Sequence, residues 1–244
     1  MKQYFLILAL YFSFFGYNQQ GETIFGIQFK PIIPNKYIGE FENTFDSLPT
    51  FRSFTKQSFG YSFGMVFRHY FTKKVAIESG INFTKRTFKL FYEVIDSGYL
   101  ANNSVSFINY QIPIKGVFFI QLSDEIFMNA SMGLNFDFFP SYVSKTTLIN
   151  INNRFGFNGE RTNWVQLGAN ANFGFEYRTK KKGTFYIGTT YNQPFGNIMT
   201  FKMKWQNNQS TTSVEKTIKG SYLTIDLRYY LPVNKNKVKK GEKE

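Results

Sequence analysis

Residues 126–138 read Ile-Phe-Met-Asn-Ala-Ser-Met-Gly-Leu-Asn-Phe-Asp-Phe, and their alternation decides the fold. Ile126, Met128, Ala130, Met132, Leu134, Phe136 and Phe138 fall on one face, while Asn129, Ser131, Gly133, Asn135 and Asp137 fall on the other. A period of two is a β-strand with unlike surroundings on its two sides. Trp164 to Arg178 repeats the pattern, with Val165, Leu167, Phe173 and Phe175 against Gln166, Asn170, Asn172 and Glu176. Leu223 to Leu231 does so again. Shorter or weaker versions occupy Phe25–Lys30, Phe59–Arg68, Ile77–Arg86, Ile108–Gln121 and Phe185–Asn192, which makes eight candidate strands.

The connections between these segments alternate in length. Phe71–Val75, Ser123–Glu125 and Thr179–Gly183 are short, whereas Pro31–Gln57, Phe91–Ser104 and Ser141–Asn163 are long. The last connection is also long, and its arms Ile198–Trp205 and Thr212–Ile218 read as hairpin extensions. Long outer loops and short periplasmic turns mark an outer-membrane barrel. The expectation is therefore all-β: an eight-stranded antiparallel up-and-down transmembrane β-barrel in the outer membrane, with both mature termini periplasmic. A soluble barrel would place the apolar face inside, and its solvent face would carry more Lys and Glu than 126–138 and 164–178 show.

Eight strands enclose a lumen just wide enough for side chains. The polar faces would line it, and the predicted turn sets Arg68 opposite Glu78. Lys30, Lys115, Arg178 and Arg228 add positive charge there, and Asp137, Glu176 and Asp226 add negative charge. Ionised groups in a narrow interior are costly unless paired. These nine residues are expected to form a structural ion network that mostly plugs the lumen; a polar conduit or small-ligand site is the alternative.

The segment Asn109-Tyr110-Gln111-Ile112-Pro113-Ile114-Lys115-Gly116 resembles the Tyr-Leu-Glu-Ile-Pro-Leu-Leu-Leu-Lys stretch of the small outer-membrane β-barrel family of Bacteroidota, the PorT-like group. Gln111 stands where that family has an acid, and one residue fewer precedes Lys115. Leu223–Leu231 is similar to the family's closing strand. The resemblance implies an outer-membrane barrel, and an accessory role in envelope assembly or protein secretion is one reading it opens.

Composition bounds the rest. The 244 residues include 31 Phe, 16 Tyr and 2 Trp but no Cys and one His, with a formal charge of +13. Disorder is excluded by that aromatic content, and disulfides or cysteine-ligated metals by the absence of cysteine. Met1-Lys2 followed by the apolar run Phe5–Phe15 reads as a signal peptide over 1–18, cleaved between Gly16 and Gln20. The barrel is then expected over 19–233, and 234–244 as a flexible basic periplasmic tail. Export excludes nucleic acid as the partner of the positive charge. Lipopolysaccharide phosphates, or envelope and secretion proteins reached through the outer loops, take its place. His69 beside a periplasmic turn is poorly placed for a Ser–His–acid hydrolase, so no enzyme and no cofactor are expected; a carboxylate-only hydrolase is the alternative, with Asp137 and Glu176 as one pair. The alternating aromatics are expected to form a coat and girdles rather than a large dry core.

Overall fold

The computed structural model describes residues 21–34, 42–45, 48–150, 152–179, 181–208 and 210–232. The expected signal peptide and basic tail lie outside the described residues. Thirteen strands are present among those described: β1 Thr23–Ile33, β2 Glu42–Thr44, β3 Phe51–Tyr70, β4 Val75–Val94, β5 Tyr99–Gln121, β6 Ile126–Phe138, β7 Val143–Asn150, β8 Asn153–Arg161, β9 Val165–Thr179, β10 Gly183–Pro194, β11 Met199–Gln206, β12 Thr211–Ile218 and β13 Tyr222–Tyr230.

Eight of them close a ring. The order β1-β13-β10-β9-β6-β5-β4-β3 is antiparallel throughout, and β1 pairs β3 to complete it. Closure leaves no unpaired ladder facing lipid, the condition for a sheet to sit in a membrane. The face assignment holds on every ring strand. Outward residues such as Ile27 (63% exposed), Met65 (69%), Met132 (70%) and Ile187 (57%) form an apolar belt, while Gln28, Asn82, Asn135 and Thr224 point inward and are buried.

Three strands run far past the belt. An apolar band about 25 Å tall needs roughly 9–11 tilted residues, yet β3 and β4 have 20 residues each and β5 has 23. Phe91–Ser104, expected as a loop, is instead continuous ladder from Leu90↔Asn103 to Val94↔Tyr99, turning only at Ile95–Gly98. Both faces of β4 change character at the same point. Inward residues pass from Glu78, Asn82, Thr84 and Arg86 to Phe88, Leu90, Tyr92 and Val94, and outward residues pass from Ile77, Ile81 and Phe83 to Lys85, Thr87 and Lys89. The strand leaves lipid for water, so its alternation inverts. On β3 a one-residue bulge between Ser58 and Tyr61 shifts the inward set from odd to even positions, keeping both parts aimed inside.

Ser141–Asn163 is likewise not a plain loop but holds the hairpin β7–β8. The arms β11 and β12 pair with each other as expected. They do not prolong β10 and β13, however; β11 pairs β8, giving a separate four-stranded sheet β12-β11-β8-β7. This sheet packs over the upper parts of β3, β4 and β5. Between the two lies a dry core that includes Phe51, Phe88, Phe107, Phe155, Phe157 and Phe201, with Met199, Met203 and Ile218. Phe201 meets Phe88 edge-on at 5.3 Å and Phe157 at 5.0 Å, and Tyr92 stacks on Phe155 at 4.7 Å. The expectation of a coat without a large dry core is therefore corrected. Once strands extend into water, apolar inward faces need a cover, and a second sheet supplies it.

Candidate functional site

The polar lumen between the short-turn end and the lobe is built around one carboxylate. Glu78 on β4 accepts Lys115 Nζ at 2.7 Å and Arg228 Nη1 at 2.6 Å on Oε1. Its Oε2 accepts Arg68 Nη2 at 2.8 Å and the Tyr230 hydroxyl at 2.7 Å. Arg68 lies opposite Glu78 in register, as the sequence predicts, and its Nη1 reaches Glu176 Oε1 at 2.6 Å. Glu176 also accepts Asn129 Nδ2 at 2.8 Å and Arg178 Nη2 at 2.9 Å. On the other side Arg228 Nη2 meets Asp226 Oδ2 at 2.6 Å, and Lys30 Nζ stands 3.7 Å from the same oxygen.

Eight of the nine residues singled out from sequence thus join one network, and Asp137 does not. It is held by Asn109 Nδ2 at 2.7 Å and Gln111 Nε2 at 3.1 Å, near the lobe. Asp137 is opposite Gln166 on β9, ten residues along that strand from Glu176. At about 3.3 Å per residue the two carboxylates are roughly 30 Å apart along the strand. They do not form a catalytic pair. Arg178 departs in another way: it pairs with Glu176 on its own strand and sits at the short-turn mouth, its guanidinium over Phe127 at 3.9 Å. His69 is at that same end, hydrogen-bonded to Thr23 Oγ1 at 2.8 Å and edge-on to Phe71.

Sequence reasoning missed the luminal tyrosines, and it placed Arg86 on the inward face without counting it among the luminal charges. Tyr186, Tyr222 and Tyr230 are buried. Tyr230 lies under Arg68 at 4.2 Å, Tyr186 under Arg228 at 4.4 Å, and Tyr222 under Arg86 at 4.7 Å. Each stacked ring gives a guanidinium a polarisable face in addition to its anion. Parity was the available signal, since each tyrosine stands an even number of residues from Asp226 or Thr190 on its strand. With Asn129 and Tyr186 counted, all eight ring strands contribute to the network.

Tyr186 is seated by two glycines. A Cβ at Gly188 would lie 2.0 Å from its hydroxyl, and one at Gly174 would lie 2.4 Å from it. That hydroxyl donates to Asn172 Oδ1 at 2.7 Å. Gly188→Ala is expected to displace the ring and cost about 1–3 kcal/mol, read as a lower urea midpoint for unfolding in detergent micelles.

Open space lies on both sides of the network along the axis. A bowl of about 870 Å³ opens at the short-turn end, lined by Tyr70, Phe119, Phe127 and Arg178. On the lobe side a space of about 10 Å³ remains beside Arg86, Asn109 and Asp137, on the order of one water molecule. The dry core of the lobe lies beyond that space.

No family model matches the chain and no curated protein matches it, so the PorT-like resemblance rests on the two strand segments alone. Among solved structures, the outer membrane protein OprG from Pseudomonas aeruginosa is similar, with a TM-score of 0.51 at 11% identity over 87% of this chain and 97% of that one. The transport unit of the autotransporter AIDA-I from Escherichia coli gives 0.27 at 10% identity over 89% and 92%. The β domain of the Bordetella autotransporter BrkA gives 0.23 at 8% over 88% and 100%. The likeness to OprG shows the fold, that of an outer-membrane β-barrel; the other two scores are too low to add to it.

Proposed function

We propose that this chain is an integral outer-membrane barrel whose lumen is closed, and that it serves as a non-enzymatic anchor displaying a β-sandwich lobe outside the cell. The lobe is then the interaction module and the barrel its stalk, with the termini and short turns in the periplasm. One observation carries the reading. The lumen is filled at the level of Glu78 by hydrogen-bonded side chains from every ring strand, and beyond it the axis runs into a dry aromatic core. A conduit needs polar space through both layers. A bare structural barrel would not need strands of 20 to 23 residues or a second sheet.

Purified protein reconstituted in planar bilayers is expected to insert, to shift its gel migration on heating, and to pass no current. Stepwise ion conductance would favour a narrow channel or carrier instead. Recovery of the protein from the soluble periplasmic fraction would reject the membrane reading itself.

A further inference from the structure

The net positive charge is not spread evenly. In the lumen, Lys30, Arg68, Arg86, Lys115, Arg178 and Arg228 face Glu78, Asp137, Glu176 and Asp226. At the short-turn end four described lysines, Lys73, Lys74, Lys181 and Lys182, face Glu22, Asp124 and Glu125. Beyond the belt, eleven described lysines and arginines face five acids, Glu42, Glu93, Asp96, Glu160 and Glu215. Among the described residues, therefore, most of the excess lies beyond the belt.

Part of that excess lies on one outward face. On the outer face of β3–β4–β5 Phe63, Phe83 and Tyr110 form one row, with Phe83 packed on both neighbours. The next row is Tyr61, Lys85 and Ile108. Above it Thr87 and Ser106 share a hydrogen bond at 3.0 Å, and above that Lys89 stands between Lys56 and Ser104. Lys56 is paired with Glu42 at 3.1 Å, whereas Lys85 and Lys89 have no ion-pair partner among the described residues. Lys85 is the first cation on the outward face of β4, at the rim of the belt between Tyr61 and Ile108, and four residues of strand put Lys89 roughly 13 Å further along the same face.

We infer that Lys85 and Lys89, with the hydroxyls of Thr87 and Ser106 between them, bind the phosphates of a phosphorylated glycolipid in the outer leaflet. A soluble anion would have no reason to select a site at the edge of the belt. A lipid headgroup is held at that depth by its own acyl chains, which the exposed Phe59, Phe63 and Tyr110 contact. A lysine near an anionic membrane surface contributes about fivefold in affinity.

The inference rests on the membrane reading above. Full-length protein would be inserted in phosphatidylcholine vesicles carrying either phosphorylated lipid A or the same lipid with its phosphates removed, and the lipid retained on the purified protein measured. The phosphorylated form is expected to be enriched. Lys85→Gln with Lys89→Gln should lower that enrichment on the order of 30-fold, and Lys89→Gln alone about fivefold should the double variant fail to fold. Lys73→Gln with Lys74→Gln, the same charge change at the other end, should leave it unchanged. Equal retention of both lipids, equal loss in the two double variants, or displacement by millimolar inorganic phosphate would overturn the assignment. A protein that never enters vesicles would instead refute the membrane reading.

Discussion

Glu78→Gln is expected to destabilise the barrel by about 3–5 kcal/mol, enough to remove most folded protein from an outer-membrane preparation. Glu78 is 1% exposed and is bonded by three cations and a phenol. The amide keeps the shape but supplies one acceptor oxygen in place of two and turns the other position into a donor aimed at cations. Arg68 would retain Glu176, and Arg228 would retain Asp226. Lys115, 2% exposed, has no second anion within salt-bridge distance among the described residues. The cost is that of an uncompensated buried charge, not of one lost hydrogen bond. The urea midpoint of the heat-modifiable form, measured in micelles, gives the number. Lys115→Met made on top of Glu78→Gln removes the stranded ammonium, so the double variant should be more stable than Glu78→Gln alone. If Glu78→Gln unfolds at the wild-type midpoint, the network does not hold the lumen together.

Which parts of this design could be read from residues follows from where the solvent changes. Within the membrane each strand has lipid on one side and a polar lumen on the other, so alternation such as Ile77–Glu78 or Leu227–Arg228 is unambiguous. The Arg68–Glu78 pair follows from turn length alone. Above the membrane the contrast reverses, and Phe88, Leu90 and Tyr92 inherit the parity of Glu78 and Arg86. A reader following the apolar face sees the pattern stop near Phe83 and infers a loop, although the ladder continues. The inversion itself was legible in Lys85-Arg86-Thr87-Phe88-Lys89-Leu90, where cations, hydroxyl and hydrophobes trade sides across four positions. The second sheet was harder to read. Its β8 strand, Asn153–Arg161, holds two glycines and two asparagines that look like loop, and only packing against β11 shows why Phe155 and Phe157 are spaced by two. The bulge at Ser58–Tyr61 hid the parity of β3 in the same way. Among the described residues, most of the positive excess left over from composition lies on the lobe side.

Phe201→Ala separates the two halves of the molecule. Phe201 is fully buried between Phe88 of the long ring strands and Phe157 of the second sheet. Truncating a buried phenylalanine costs about 3–5 kcal/mol. The lobe's four-stranded sheet meets the ring sheet chiefly through this core, with a few bonds such as Lys216 Nζ to Thr44 O at 2.8 Å at its edge. The barrel below has its own closed ladders and its own ion network, neither of which touches Phe201. The expected result is thus a lobe that opens while the barrel stays folded. Trypsin added to intact cells should cut at Lys202 or Lys204, which lie on the outward face of β11, far faster in the variant than in wild type. The barrel should keep its heat-modifiable migration and, on the reading proposed above, still pass no current with the Glu78 network in place below the lobe. Conductance appearing in Phe201→Ala would instead make the lobe core the true barrier and the ion network a permeable filter. Loss of heat-modifiability would mean that barrel and lobe fold as one cooperative unit, and the picture of an anchor carrying a separable module would fail.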